Sequence, residues 1–309
     1  MTDDPALRFA ELADRRPPLP GQGDTLGRWR FLAEVAAEDL ALAKLVESHL
    51  DAIAILSELG RDDLVGDGRR WAVWAAEPPQ ARLRLSADGQ LTGTKAWCSG
   101  AGIVSHALVT AWPDTGEQQL AAVALDQAGI RADDSHWQAV GMGRVRTPDL
   151  TFSDVPAELV GDGGVYTSRP GFWHGGAGVA ACWYGGILPV AEAVRRARPS
   201  PHRDAQLGAL DVELRMVRAL LVEVAAAIDD DPAADRAADA LRVRAAADQA
   251  ARRVLDLAGR ALGAGPLCRD RLVAEHFADL PVFIRQTHGD RDLAELAGLI
   301  AEEGPRWAL

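Results

Sequence analysis

Cysteine is scarce in this sequence. Three of the 309 residues are cysteines, Cys98, Cys182 and Cys268, and no two of them form a CxxC pair. An odd, scattered set of this kind excludes a disulfide framework and a zinc site built on cysteine pairs. We therefore expect reduced thiols, a cytoplasmic protein and no metal site.

Long apolar runs and excess positive charge are also lacking. No run of apolar residues reaches the eighteen or so that span a membrane. The acidic start, "MTDDPALRFAELADRRPPLPG", has no apolar core of the kind found in secretion signals. Lys and Arg number 33 against 45 Asp and Glu, which gives a net charge of -12. Such a balance disfavours nucleic acid and anionic membranes as partners.

Hydrophobic residues make up 48% of the chain, a composition typical of globular proteins. Residues 28–60 have apolar residues at helical spacing, with Gly60 as a stop signal. Short alternating segments follow, with an Asp-Gly hairpin signal in "SADGQ", and helical spacing resumes at about residue 170. These patterns predict an N-terminal helical region at 1–69, a β domain at 70–160 and a helical region at 161–309. The long alanine-rich helices of the last region suit a bundle and an oligomer built from it.

The stretch "LTGTKAWCSGAG" at 91–102 combines a bulky aromatic residue with small polar ones. We expect Trp97 to end a strand, and Cys98 and Ser99 to begin a loop with their backbone groups free. An aromatic plane beside a hydroxyl and free amides suits a flat heterocycle that needs hydrogen bonds at its edge. For this segment alone, a tryptophan in the core of a β domain is the alternative.

Three segments carry a resemblance to a known family. The segment "LTGTKAWCSGAGIVSHALVTAW" resembles the acyl-CoA dehydrogenase family, whose β domain has a G-x-K-x-W-[IC]-[TS]-[NG]-A pattern. Downstream, "GMGRVRTPDLTFSDVPAELVG" is similar to the end of that domain, and upstream "WAVWAAEPP" resembles its first flavin strand. The resemblance implies a mostly α fold with a small β-barrel-like domain in the middle and a C-terminal four-helix bundle.

The resemblance also implies a cofactor and a reaction. It implies bound FAD, with Trp97 against the isoalloxazine ring, Cys98 beside it, Ser99 hydrogen-bonded to flavin N5, and the backbone of Ala76 and Glu77 along the pyrimidine side. The implied reaction is α,β-desaturation of an acyl thioester, with an electron-transfer protein as a possible acceptor. The chain would work as a homodimer, a homotetramer or a heteromer with a related chain.

The sequence departs from the family pattern around the cofactor. The N-terminal helical region is short, Ala76 replaces a Thr or Ser, and "PPQARLRL" replaces an Ala-Gly-Ser-Asp turn. The family grips the FAD pyrophosphate with an Arg-x-x-Phe-Gly segment. Here the corresponding region is "RRARPSPHRDAQLG", where Arg203 is the candidate because a guanidinium suits phosphate. A solvated loop is the alternative for this region.

The family's catalytic base is missing from its usual place. The family has a Glu nine residues after the Arg of an Arg-Asp pair, and nine residues after Arg269 this chain has Ala278. His174, just before a helix that we expect to start near Gly175, is the first candidate because imidazole is a suitable base near neutral pH. Its alternative role is a helix cap or an interface residue. His276 and Glu275 are the other candidates, with a solvated helix face as the alternative for Glu275.

Two other functions stay open. The first is different flavin chemistry on the same fold, as an oxidase or a monooxygenase, which the missing Glu favours. The second is a non-catalytic subunit of a heteromeric acyl-CoA dehydrogenase, which the short N-terminal region favours.

Overall fold

The computed structural model describes residues 5–303 and Trp307. The N-terminal part is helical: α1 (Pro5–Leu12), α2 (Thr25–Glu38) and α3 (Leu40–Glu58), followed by a 3-10 turn at Asp62–Leu64. Asp39 interrupts the region predicted as helical from 28 to Gly60. Its backbone is extended, and its carboxylate accepts hydrogen bonds from the amides of Ala41 (2.8 Å) and Leu42 (3.2 Å). Asp39 therefore ends α2 and caps α3, as short polar side chains commonly do.

The strands follow between residues 71 and 159. They are β1 (Trp71–Trp74), β2 (Leu83–Leu85), β3 (Gln90–Lys95), β4 (His106–Pro113), β5 (Gln119–Ala124), β6 (Ile130–Asp133), β7 (Asp149–Pro156) and β8 (Glu158–Leu159). In the described residues they form a curled sheet in the order β6-β7-β3-β2-β4-β5-β8, and β1 pairs with β4 in parallel. The hairpin predicted at "SADGQ" is confirmed, because β2 and β3 are antiparallel neighbours joined through Ser86 and Gln90.

One apolar cluster packs α3 against the sheet. Trp71 of β1, Leu108 of β4 and Leu120 of β5 are buried together with Ile55 and Leu56 of α3. The indole nitrogen of Trp71 donates a hydrogen bond to the carbonyl oxygen of Val65 (3.3 Å), so the polar end of this large side chain is satisfied. The cluster holds β1 in place, and the residues that follow β1 are those predicted to line a cofactor.

The rest of the described chain is helical. The helices are α4 (Val165–Ser168), α5 (Gly171–Arg196), α6 (Pro201–Asp230), α7 (Ala237–Leu262), α8 (Ala264–Arg269), α9 (Arg271–Phe283) and α10 (Asp290–Glu303). Ser200 caps α6, and Pro201 occupies its first turn, as is common at helix starts. Helix α6 packs against α2 and α7, and α7 packs against α9 and α10. The observed fold is mostly α with a sheet in the middle of the chain, as predicted.

Helix α5 packs closely against its neighbours. A Cβ atom on Gly185 would lie 2.2 Å from the carbonyl oxygen of Ala33 in α2, and one on Gly186 would lie 2.6 Å from a methyl carbon of Leu40. Within residues 5–303 and Trp307, α5 is the helix whose length and apolar composition would suit a membrane span. Of its most apolar stretch of 18 residues, 72% is buried in the protein. This burial is what a core helix shows.

The chain divides into two compact units. One contains the residues up to Arg16, Lys44–Ala139 and Gly143–Phe172, and the other contains Pro17–Ala43, Val140–Met142 and the chain from Trp173 onward. The predicted boundaries of three domains, at 69/70 and 160/161, stay predictions, and so does the grouping of the C-terminal helices as a four-helix bundle.

Candidate functional site

Trp97 is an exposed aromatic residue in a strained conformation. It lies two residues after β3, its φ is 57°, and 58% of its surface is exposed. Bulky residues rarely adopt this left-handed region. The amide of Trp97 donates a hydrogen bond to a carboxylate oxygen of Asp149 (3.1 Å). A core role for Trp97 does not fit this exposure, and the indole presents a flat apolar surface to solvent.

The backbone groups of the following loop are engaged. The amide of Cys98 donates to the carbonyl oxygen of Pro148 (2.9 Å), and the amide of Ser99 donates to that of Trp97 (3.0 Å). The carbonyl oxygen of Ser99 accepts a hydrogen bond from the indole of Trp74 (3.0 Å). The prediction that the backbone groups of Cys98 and Ser99 are free is therefore wrong, because they bond to Pro148 later in the chain, to Trp74 of β1 and to Trp97 within the loop.

The side chains of Cys98 and Ser99 differ in what they offer. Cys98 is buried, and its thiol donates to the carbonyl oxygen of Lys95 (3.2 Å). Burial raises the pKa of the Cys98 thiol well above its ordinary value, which keeps it protonated and unreactive. The hydroxyl of Ser99 lies 3.3 Å from that of Thr147, whose own proton goes to the carbonyl oxygen of Val145 (2.9 Å). The Ser99 hydroxyl is thus the polar group beside Trp97 that a ligand could use.

Glu77 is fixed by side chains from the sheet. Its carboxylate accepts hydrogen bonds from the hydroxyl of Thr110 (2.8 Å) and the indole of Trp112 (2.6 Å). The buried ammonium of Lys95 lies 3.4 Å away. Half-buried Ala76 precedes Glu77 in the segment after β1. The carboxylate of Glu77 is therefore committed to the sheet, and the backbone of this segment is what a cofactor could contact.

Helix α5 begins four residues earlier than predicted. Its first residue is Gly171, whose amide donates to the carboxylate of Glu58 (2.9 Å). Arg169 donates to the same carboxylate (2.6 Å), and its guanidinium lies over the ring of Tyr166. A carboxylate at a helix N-terminus is electrostatically favourable. His174 therefore lies in the first turn of α5 and not in the preceding loop, and only 4% of its surface is exposed.

Arg244 of α7 ties down the turn that follows His174. Its guanidinium donates to the carbonyl oxygens of Gly176 (2.9 Å) and Gln286 (2.7 Å), and it lies 5.0 Å from the ring centre of Trp183. The backbone next to His174 is thus held by a side chain from another helix. His174 stays the first candidate for a base.

The two candidates on α9 are already engaged. Both ring nitrogens of His276 face carbonyl oxygens, of Leu272 at 2.9 Å and of Ala36 at 3.1 Å, and the residue is buried. Both ring nitrogens of His276 are therefore occupied by backbone contacts in this structure. Glu275 accepts a hydrogen bond from Arg271 one turn away (2.8 Å). This geometry favours structural roles for both residues.

The position of the family's Glu is filled by backbone packing. A Cβ atom on Gly141 would lie 1.9 Å from the carbonyl oxygen of Ala278, so the two chain segments touch. The next residue, Asp279, accepts a hydrogen bond from the amide of Met142 (2.5 Å), whose φ is 58°. The carboxylate of Asp279 thus supports a strained turn.

Arg203 lies in the first turn of α6. Its guanidinium pairs with Asp204 (3.1 Å), its side chain is 11% exposed, and its Nε atom has no hydrogen-bond partner within the described part of the chain. A phosphate role for Arg203 stays a prediction. No group of three or more His, Cys, Asp or Glu side chains in residues 5–303 is arranged to hold a metal ion.

Sequence reasoning missed Asp149, Thr110 and Trp112. All three act through contacts between a strand and a segment that is distant from it in the sequence. Thr110 and Trp112 are two residues apart in β4, and because side chains repeat every second residue along a strand, the sequence would have placed both on one face. Asp149 is a single acidic residue after Pro148, and no local pattern distinguishes it.

No protein-family model matches this chain. No curated protein matches it either.

Solved structures do match. A glutaryl-CoA dehydrogenase from Mycobacterium smegmatis in complex with FADH2 is 14% identical, with a TM-score of 0.82 over 98% of this chain and 88% of that one. KijD3, in complex with FMN and dTDP-3-amino-2,3,6-trideoxy-4-keto-3-methyl-D-glucose, is 18% identical, with a TM-score of 0.81 over 98% and 88%. TdsC from Paenibacillus sp. A11-2, a dibenzothiophene monooxygenase solved with FMN and indole, is 19% identical, with a TM-score of 0.77 over 90% and 84%. The chain therefore has the acyl-CoA dehydrogenase fold, as the resemblance predicted, while the division into domains and the four-helix bundle stay predictions.

Proposed function

We propose that this chain is a flavin-dependent oxidoreductase that acts on a small molecule. The observation that carries the proposal is the exposed indole of Trp97, held in a left-handed conformation beside the Ser99 hydroxyl. Strained conformations of bulky residues persist where the surrounding structure and a function require them. The three similar structures hold FMN or FADH2, and this supports the same class of cofactor.

The residues of the loop fit the ring end of a flavin. Trp97 would cover one face of the ring, and the Ser99 hydroxyl would donate or accept a hydrogen bond at its edge. The carboxylate of Glu77 is taken by Thr110 and Trp112, so the backbone after β1 would be presented in a fixed position. A bound flavin supplies the redox chemistry by accepting a hydride or, once reduced, by reacting with oxygen. FAD is our first expectation, and FMN is the alternative that the loss of the Phe-Gly pair favours.

Two reactions compete within this class. Desaturation of an acyl thioester requires a base, and His174 is the residue to which we assign that role. Chemistry with molecular oxygen requires no carboxylate at the position of Ala278. The engaged state of His276, Glu275 and Asp279 favours the oxygen reaction, because α9 then offers no base in the family's usual place.

The first experiment is the visible absorption spectrum of the purified chain, with and without added FAD or FMN. We expect about one flavin per chain, and the preferred flavin identifies the cofactor. A chain that takes up neither flavin, even in excess, contradicts the stand-alone enzyme. Recovery of flavin binding with a co-purified related chain would then support the non-catalytic subunit of a heteromer.

The second experiment separates the two reactions. Under anaerobic conditions, a panel of acyl-CoA thioesters bleaches the flavin of a desaturase but not that of an oxygen-dependent enzyme. Rapid oxygen consumption after chemical reduction of the flavin instead indicates the oxygen-dependent enzyme. In a desaturase, His174→Ala abolishes bleaching while flavin binding persists. His276→Gln, the matched control on α9, lowers stability and leaves bleaching per bound flavin unchanged.

A further inference from the structure

Trp97 occupies a conformation that it does not adopt unaided. Among the non-glycine residues that the structure describes, three have positive φ: Trp97, Met142 and Asp154. Trp97 is the bulkiest of them, and it is also largely exposed, so burial of its indole does not explain the conformation. A tryptophan held in the left-handed region needs an interaction that favours it over the extended backbone.

Asp149 supplies that interaction. One carboxylate oxygen accepts the hydrogen bond of the Trp97 amide at 3.1 Å, and the other lies 3.5 Å from Nδ1 of His136, an exposed side chain. The backbone of Asp149 starts β7 and pairs with Asp133 of β6. The carboxylate is thus anchored on the sheet and reaches across to the loop.

Other hydrogen bonds already hold the loop against the segment before β7. The amide of Cys98 donates to Pro148 (2.9 Å) and the amide of Gly100 donates to Arg146 (2.8 Å). The loop therefore does not depend on Asp149 for its attachment. The contact of Asp149 with Trp97 affects the orientation of one peptide group, and through it the direction of the indole.

We infer that Asp149 is a positioning residue that holds Trp97 left-handed so that its indole faces a flat ligand. This inference rests on the proposed function, since the ligand is the flavin proposed above. A hydrogen bond to a carboxylate is stronger than one between neutral groups, so Asp149 suits a task that opposes backbone preference. The carboxylate does not contact the ligand in this role.

The test uses Asp149→Ala, Asp149→Asn and a matched control, Asp154→Ala. Asp154 lies on the same strand, is exposed, and accepts a side-chain hydrogen bond from Thr92 (2.9 Å). We expect Asp149→Ala to weaken flavin binding roughly tenfold or more, the effect of losing a hydrogen bond to a charged group. Asn keeps an acceptor oxygen but loses the charge, so binding by Asp149→Asn should lie between that of the wild type and that of Asp149→Ala. Flavin binding by Asp149→Ala that equals binding by Asp154→Ala would overturn the inference.

A second readout needs no flavin. Each protein is compared with the same protein carrying the additional change Trp97→Phe, and the difference between the two fluorescence spectra is the emission of Trp97. Quenching of this emission by acrylamide reports how exposed the indole is. We expect quenching of this component to change in Asp149→Ala and not in Asp154→Ala, and equal quenching in both contradicts the inference. If the wild type binds no flavin, the proposed function fails, and this fluorescence arm alone decides on Asp149. If Asp149→Ala does not fold, Asp149→Glu, which displaces the acceptor by one methylene, takes its place in both arms.

Discussion

The ammonium nitrogen of Lys95 lies 2.7 Å from the hydroxyl and 2.8 Å from the carbonyl oxygen of Thr110. Lys95 is only 2% exposed, and its nearest carboxylate, that of Glu77, is 3.4 Å away. Burial lowers the pKa of Lys95, and the charge of Glu77 opposes that effect. Through these contacts, Lys95 connects β3 to Thr110 of β4 and to Glu77 in the segment after β1.

Replacing this ammonium by an apolar group leaves its partners without a donor. We expect Lys95→Met to lower the free energy of unfolding by about 2 to 4 kcal/mol, because buried acceptors and one carboxylate lose a charged partner. Denaturation with urea measures the change. Arg253→Met is the control, because its partner Asp256 lies one turn away on the same helix and both side chains are about half exposed. A loss in Lys95→Met no greater than in this control would show that the network adds nothing to stability.

His49 makes stability depend on pH. Its Nε2 lies 2.9 Å from the carbonyl oxygen of Ala13, and its Nδ1 accepts a hydrogen bond from the amide of Trp71 (3.0 Å), so the neutral ring is required. Burial lowers the pKa of His49 from 6.5 to about 4. The unfolded chain then binds more protons between those two values, and stability rises with pH across that window.

Acidification from pH 7.5 to 4.5 should therefore cost about 2 to 3 kcal/mol through His49 alone. Unfolding free energies at several pH values, for the wild type and His49→Gln, give the slope that His49 contributes. We expect the slope to be smaller in His49→Gln and unchanged in His202→Gln, where the histidine is exposed on α6. Parallel curves for the wild type and His49→Gln would assign the slope to other groups.

Replacement of a helical glycine by alanine should have opposite effects on stability at two positions. At Gly185 a Cβ would lie 2.2 Å from the carbonyl oxygen of Ala33, so Gly185→Ala forces α5 from α2 and costs about 3 kcal/mol or more. At Gly208 in α6 a Cβ meets nothing within 4 Å, and Gly208→Ala should stabilise by roughly 0.5 to 1 kcal/mol. Thermal unfolding of both variants gives the signs. Stability changes of the same sign at both positions would contradict the packing described for α5.

Asp229 fastens the start of α2 to α6. Its carboxylate accepts hydrogen bonds from the amides of Gly23 (3.1 Å) and Thr25 (2.9 Å) and from the hydroxyl of Thr25 (2.6 Å). We expect Asp229→Ala to cost about 2 to 3 kcal/mol, because Thr25 is fully buried and loses its partner. Hydrogen exchange of peptides covering residues 21–30 should accelerate in this variant. The neighbouring exposed Asp230, changed to Ala, should leave that exchange as it is.

Local patterns were enough to predict the order of elements. Apolar spacing located the helical regions on either side of the strands, short segments with strand patterning located the strand region, and the Asp-Gly pair located the hairpin of β2 and β3. These features depend on residues within one or two turns of each other. The break at Asp39 was missed because a single capping residue interrupts an otherwise continuous helical pattern.

The candidate site could be located from the sequence but not described. The exposed position of Trp97 agrees with the expected role, whereas the engaged amides of Cys98 and Ser99 were not expected. The partner of the Cys98 amide, Pro148, lies in the segment before β7, so it depends on a tertiary contact, whereas the Ser99 amide bonds to Trp97 within the loop. The start of α5 was placed too late because the amide of Gly171 is satisfied by Glu58, and no local residue signals this.

The pairing of β3 with β7 also has a consequence for synthesis. β3 ends at Lys95, and its antiparallel partner begins only at Asp149. At a translation rate of about 5 to 20 residues per second, one edge of β3 has no partner strand for several seconds. An unpaired edge can recruit other strands. Slow translation between these two strands would lengthen the time for which this edge is exposed, and we expect it to favour aggregation of the nascent chain.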